Sequence, residues 1–350
     1  MKFGTKTIAN FSPPYIIAEL GSNHNGDMAL ARKLIEEAKA ARCDCVKFQS
    51  WSKQTIFSRQ VYDENAFLKD DYRNRTDFTL EQIVEKFSIS EAQLLEMRRY
   101  CRELGIDCTS TPFSQREVDF LVDVLDAPFI KVASMDLNNY PFLRYLAHKG
   151  KPVVLSTGLS TLGEIDLAIS TIESTGNREI VILHCVSVYP PKDEDVNLNN
   201  MDMLRANYPD YPVGFSDHSI GTDIPLAAAA KGACILEKHF TLDKSMFGWD
   251  HKVSATRDEM EAIVRGSARV NAALGSYRRT LSDQEKETIP AYRRSIVAAR
   301  PIAAGKTIAR EDLDLKRPGT GLRPEDLELV VGRTARRDIA ADAVLTAEDF

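Results

Sequence analysis

Read from its amino terminus, the chain alternates short β-branched apolar runs with longer stretches of helical periodicity. The apolar runs predict strands at Tyr15–Glu19, Cys45–Gln49, Ile106–Ser110, Phe129–Ala133, Val153–Thr157, Ile180–Cys185, Pro212–Ser216 and Cys234–His239. Helical patterns follow most of them, among them Met28–Ala41, Glu91–Leu104, Arg116–Leu125, Leu162–Ser174, Ile220–Lys231 and Arg257–Leu274. A strand that feeds a helix and then another strand implies parallel pairing. Eight such units within residues 1–275 match the size of a (β/α)₈ (TIM) barrel. The competing architecture is an open doubly wound sheet. Its dinucleotide fingerprint would follow the first strand, where the chain instead reads Glu19-Leu20-Gly21-Ser22-Asn23-His24-Asn25-Gly26. Between Ser52 and Phe78 aromatic and charged residues break the rhythm, which predicts a long loop over one barrel face. Residues 276–293 are polar and suit a linker, and residues 294–350 carry short strand and turn patterns of a small β-rich domain.

Composition changes this picture little. A net charge of −6 gives no global attraction for nucleic acid or an acidic membrane surface, so an anionic substrate needs locally placed Lys or Arg. The six cysteines form neither a CxxC pair nor a zinc-type spacing, which suits reduced thiols in a cytoplasmic protein. No apolar leader and no membrane-length apolar run is present in the sequence.

Candidate chemistry lies where a barrel places it, at the carboxyl ends of the strands. Those ends carry Glu19, Lys47 with Gln49, Ser110 with Thr111, Lys131 with Ser134, Ser156 with Thr157, Tyr189, Ser216 with His218, and Glu237-Lys238-His239. Lys47 and Lys131 with the serine and threonine hydroxyls suit an anion pocket. One of the lysines could instead be a Schiff-base nucleophile. His218 and His239 follow consecutive strands and make a candidate pair of imidazole ligands for a divalent metal. Glu19 is a candidate for proton handling or for stabilising positive charge. His24 and His184 are read as hydrogen-bond partners, and His148 as a surface residue.

Several segments together carry a family likeness. They are IIAELGSNHNGDMALARKLIEEAKAARCDCVKFQ (Ile16–Gln49), STPFS (Ser110–Ser114), IKVAS (Ile130–Ser134), VVLSTGLSTLGEI (Val153–Ile165), LHCVSVYPPKDEDVNL (Leu183–Leu198), GFSDHSIG (Gly214–Gly221) and ILEKHFTLDK (Ile235–Lys244). In this order they resemble the sialic acid synthase family, and RRSIVAARPIAAGKTIAREDLDLKRPGTGL resembles the antifreeze-like (SAF) domain attached to such synthases. The resemblance implies condensation of phosphoenolpyruvate with an N-acylated amino-hexose aldehyde and release of phosphate. It implies that Lys47, Thr111, Lys131, Ser134, Ser156, Ser187 and Ser216 hold phosphoenolpyruvate, and that Gln49, Tyr189, Asp250 and Asp136 meet the sugar. It also implies that Glu19 is the active-site glutamate and that His218 and His239 bind a divalent metal, typically Mn²⁺, with Mg²⁺ or Co²⁺ as alternatives. Arg317 matches an arginine that reaches the other subunit's site, which implies a domain-swapped homodimer.

Three places depart from the family pattern: Met135-Asp136 replace Gly-Glu, Trp249 stands in the usual GPDH segment, and Glu81-Gln82 replace a Tyr-Glu pair. All three fall where the sugar is expected. Unmodified N-acetylmannosamine and a 2,4-diacylamino-6-deoxyhexose are therefore both candidate acceptors. A Schiff-base aldolase on the same barrel and a non-catalytic sugar- or ice-binding protein are the competing functions.

Overall fold

The computed structural model describes residues 1–4, 6–65 and 78–350, and within it the chain forms two compact units, Met1–Gly275 and Ser276–Phe350. In the first unit eight parallel strands form one sheet: β1 Tyr15–Gly21, β2 Cys45–Gln49, β3 Asp107–Thr111, β4 Ile130–Val132, β5 Val153–Ser156, β6 Ile180–Cys185, β7 Val213–Asp217 and β8 Ile235–His239. Strands β1 to β3 pair in sequence order, as do β4 to β8, and β8 returns to β1 with Ile235 opposite Tyr15 and His239 opposite Glu19. The ring is completed where β3 lies beside β4 and the Thr109 hydroxyl donates to the Phe129 carbonyl at 3.0 Å. This is the (β/α)₈ barrel expected from the alternation.

The strands are buried on both faces because helices cover the outside. Period two then decides what fills the inside. At the amino-terminal end of the barrel Tyr15, Ile17, Cys45, Phe129, Val154, Val181, Leu183 and Ile235 pack into an apolar plug, joined by Phe3 from the short hairpin Lys2–Phe3/Lys6–Thr7. Two or four residues further along, the same inward register delivers Glu19, Lys47, Lys131, Ser156, Cys185, Glu237 and His239. The inside of the barrel is thus apolar below and ionisable above.

Helix starts follow their capping residues. Asp27 accepts the amides of Ala29 and Leu30 ahead of Met28–Ala40, and Ser90 forms a capping box with Gln93 ahead of Glu91–Leu104. The stretch 52–78, expected as a loop, carries a helix at Arg59–Glu64 in its described part, and residues 66–77 lie outside the described residues. A further helix, Leu80–Phe87, buries Leu80, Ile83, Val84 and Phe87 against Trp51 and Tyr62 in a small aromatic-rich cluster. Within 276–293, read as linker, Asp283–Tyr292 is helical, started by a Ser282–Glu285 capping box. None of its residues is buried, so no apolar stripe announced it. The second unit pairs Ser295–Ala298 antiparallel with Leu313–Lys316 around a core that includes Ile296, Ile302, Ile308, Val330 and Leu345. All six cysteines are free and buried. Among the described residues no helix is long and apolar enough to cross a membrane.

One buried group ties this fold to pH. His24 is 1% exposed, its Nδ1 accepts the Gly26 amide at 3.0 Å, and burial pushes its pKa down to about 4. The folded state therefore binds fewer protons than the unfolded chain below the ordinary histidine pKa. The resulting stability is complete above that pKa and is lost as pH falls toward 4. Urea unfolding at pH 7.5 and 4.5 is expected to show His24→Asn losing about 2–3 kcal/mol less than wild type over this interval. Identical losses would contradict the assignment.

Candidate active site

The ionisable upper layer of the barrel lines a cavity of about 630 Å³. At its floor lie two lysines and two glutamates. Lys47 Nζ is 2.5 Å from Glu19 Oε2 and 3.8 Å from Glu237 Oε2, and Lys131 Nζ is 3.8 Å from Glu237 Oε1. All four side chains are almost wholly buried. Hydroxyls complete the shell: Lys47 donates to Thr111 Oγ1 at 2.9 Å, Lys131 to Ser156 Oγ at 2.7 Å, and the Ser216 hydroxyl to Glu237 Oε1 at 3.0 Å. Beside them the loop after β5 brings the Gly158 amide to within 3.1 Å of Ser134 Oγ. A Cβ on Gly158 would stand 2.7 Å from that oxygen and 2.3 Å from Ser187 Oγ, so only glycine lets both hydroxyls approach.

The same cavity is lined by the two histidines. Their ring centroids are 5.5 Å apart, and the Tyr189 ring lies 4.0 Å from that of His218. His218 Nδ1 is 2.8 Å from the Val186 carbonyl, and His239 Nδ1 is 3.8 Å from Asp250 Oδ2. Gln49 bridges outward: its Nε2 donates to Glu19 Oε1 at 2.9 Å, and its Oε1 accepts the Trp51 indole N–H at 2.8 Å. From there the wall turns apolar, with Trp51, Ile56, Phe57, Val84, Phe113 and Trp249.

Residues 34–279 match the model of the NeuB family, and residues 293–350 match that of the SAF domain. The chain belongs to the NeuB family. An uncharacterized protein of Methanocaldococcus jannaschii is 37% identical over 350 residues, covering 100% of this chain and 98% of the relative. The N,N'-diacetyllegionaminic acid synthase of Legionella pneumophila is 36% identical over 338 residues, 95% of this chain and 94% of the relative. Among solved structures, the N-acetylneuraminic acid (sialic acid) synthetase of Leptospira borgpetersenii in complex with citrate is similar with a TM-score of 0.71 at 31% identity, covering 83% of this chain and 94% of that one. This NeuB-family protein is thus an enzyme of the sialic acid synthase type.

Electrostatics of the NeuB-family barrel follow from burial opposed by pairing. Burial pushes the Glu19 carboxyl up to about 7, against the pull of Lys47 and with the repulsion of Glu237 added. Burial acts the same way on Glu237, but Lys131 and Lys47 outweigh it and hold that carboxyl below its ordinary value. Burial would lower Lys47, yet Glu19 and Glu237 keep it above the usual lysine range, while Lys131, with fewer partners, is pulled below it. Burial raises Asp250 to about 6. Glu237 is thus the fixed counter-charge of both lysines, and Glu19 and Asp250 can exchange protons near neutrality.

The two histidines fit a divalent ion. His218 has its Nδ1 occupied by the Val186 carbonyl, which leaves Nε2, and His239 Nδ1 is a buried nitrogen with no hydrogen-bond partner. Among the described residues no group of three His, Cys, Asp or Glu is gathered to hold an ion. Two imidazoles would therefore leave positions open to water or substrate.

Most of the sequence-derived candidates come together. Glu19, Lys47, Gln49, Thr111, Lys131, Ser134, Ser156, Ser187, Tyr189, Ser216, His218, His239 and Asp250 all line the cavity. Asp136 does not. It closes the short turn Ser134–Asp136, where its Oδ1 accepts from the Asn139 side-chain Nδ2 at 3.3 Å, and Met135 lines the cavity instead. Glu81 and Gln82 are also elsewhere: Glu81 pairs with Lys53 at 2.6 Å, and Gln82 belongs to the Thr79 capping box. Arg317 lies in the second unit, its guanidinium 5.3 Å from the Tyr292 ring centroid. His184 Nε2 is 2.6 Å from the Val196 carbonyl and His148 is exposed, as expected. Glu237, Cys185 and Trp51 line the cavity without having been singled out for roles. Glu237 and Cys185 were findable, because each shares the inward register of its strand.

Because Lys47 neutralises two buried carboxylates, its removal would leave charge unpaired. Lys47→Met is expected to lower unfolding free energy by about 3–5 kcal/mol at pH 8, read by urea denaturation. A loss below about 1 kcal/mol would show that the carboxylates do not depend on it.

Proposed function

We propose that this enzyme condenses phosphoenolpyruvate with the open-chain aldehyde of an N-acylated amino-hexose, giving a sialic-acid-like nonulosonic acid and phosphate. The observation that carries the reading is the pair of buried lysines at the barrel mouth, ringed by hydroxyls and lining one cavity with two histidines. In a protein of net charge −6, these lysines supply the positive charge that a carboxylate- and phosphate-bearing substrate requires. Thr111, Ser134, Ser156, Ser187 and Ser216 orient its oxygens. The methylene carbon of phosphoenolpyruvate bonds to the aldehyde carbon. Positive charge then develops at the enol-ether carbon, where ionised Glu19 stabilises it. Water adds there, and phosphate leaves with cleavage of the carbon–oxygen bond. Bound by His218 and His239, a divalent ion, Mn²⁺ by preference, would supply Lewis-acid polarisation of the aldehyde oxygen. Gln49, Tyr189 and Asp250 meet the sugar. The reduced thiols suit a cytoplasmic setting.

The apolar wall bears on the acceptor. Trp51, Ile56, Phe57, Val84, Phe113 and Trp249 offer little to a hydroxyl and much to a methyl or acyl group. This favours a 2,4-diacylamino-6-deoxyhexose over N-acetylmannosamine. Phosphate release from phosphoenolpyruvate, measured across a panel of acylamino hexoses, is expected to require an acceptor, to stop on chelation and to return with Mn²⁺. The deoxy acceptor is expected to lead in kcat/KM by roughly 10–200-fold, as an apolar wall rejects a hydroxyl only weakly. A lead for N-acetylmannosamine would overturn the acceptor assignment, and full turnover in metal-free enzyme would overturn the metal pair.

The family resemblance further supports a homodimer in which Arg317 serves the partner's site. Mixing Arg317→Ala with Lys131→Ala, each inactive alone, is expected to restore up to about a quarter of wild-type activity after random subunit exchange. No recovery despite verified exchange would contradict the swap.

A further inference from the structure

A further buried ion pair lies behind the two histidines, outside the cavity. Asp217 and Lys238 are directly opposed on β7 and β8, each one position before a histidine of the pair. Period two turns their side chains away from the barrel interior, and both are almost wholly buried. Lys238 Nζ lies 2.5 Å from Asp217 Oδ2 and donates to the Ser219 carbonyl at 2.6 Å. Asp217 Oδ1 accepts the Ser219 amide at 2.8 Å. The segment Asp217–Ser219 is thus closed around one ammonium, with His218 at its centre and its Nδ1 held at the Val186 carbonyl.

A charged pair is an unexpected choice at this depth. Desolvation consumes most of its attraction, and an apolar pair of similar volume would pack as well or better. What the bridge adds is direction: it fixes the separation of two strands and the path of the backbone on both sides of His218. Neither residue lines the cavity, so neither can act on a substrate directly. We propose that the Asp217–Lys238 bridge is a positioning device that sets the spacing and ring orientation of His218 and His239, and thereby their affinity for a divalent cation. The inference rests on the reading of these histidines as a metal pair.

The test is Mn²⁺ titration of the purified full-length protein, followed by the loss of the free-ion electron paramagnetic resonance signal. The charge-free double variant Asp217→Leu/Lys238→Met is expected to melt within a few degrees of wild type and to bind Mn²⁺ about 10–100-fold more weakly, the usual effect of losing support behind a metal ligand. Lys238→Arg, which keeps a cation for Asp217, is expected to stay within about threefold of wild type. If the double variant does not fold, Asp217→Asn keeps the volume and the acceptor for the Ser219 amide, and is expected to bind at least threefold more weakly. Unchanged Mn²⁺ affinity in the folded variant would overturn the positioning role while leaving the metal pair intact. Absence of Mn²⁺ binding by wild type would overturn both.

Discussion

The structure turns on the burial of two ammonium groups at the mouth of a barrel. A lysine removed from water survives as a cation only if the protein supplies compensating charge and hydrogen bonds. Here Glu237 stands 3.8 Å from both lysines, and Glu19 lies against Lys47 alone. That asymmetry sorts the four groups. Glu237 stays ionised, whereas Glu19, with one close cation and a like-charged neighbour, sits at about 7. The site is therefore near charge balance before any anion arrives. On the proposed reading, an entering phosphoenolpyruvate competes for the lysines with carboxylates, one of which can be relieved of its charge by a proton near neutral pH.

Barrel geometry makes this arrangement possible with few residues. Each strand contributes inward positions two apart, so one strand can place an apolar group in the plug and an ionisable group above it. Tyr15, Ile17 and Glu19 on β1 follow this plan, as do Ile235, Glu237 and His239 on β8. The apolar half holds the strands in register, and the polar half is thereby fixed without loops of its own. Loops contribute to the apolar wall, where Trp51 and Trp249 meet edge to face at 5.7 Å. Ionisable groups on strands and an apolar wall on loops is the division of labour this fold supports.

Much of this was legible in the residues. The eight strands and the lysine and histidine positions follow from period-two runs ending in polar groups. The legibility stops where the inference needs side-chain direction. The family resemblance implies a sugar contact for Asp136, but a short turn at Ser134–Asp136 presents Met135 to the cavity instead. Glu237 was visible at its strand end, yet its tie to two lysines on other strands needs the closed ring. The helix Asp283–Tyr292 is polar all round and contains Pro290, so neither periodicity nor propensity marks it. The departures at Glu81 and Gln82 concern an ion pair and a helix cap rather than the cavity.

Calorimetric titration of phosphoenolpyruvate into wild type and Lys131→Ala, without acceptor, tests most directly whether the buried lysines exist to hold this substrate. The expected result is a loss of about 2–5 kcal/mol in the variant, roughly 30- to 5,000-fold in affinity. Equal affinity in the two proteins, with the variant folded, would contradict the account.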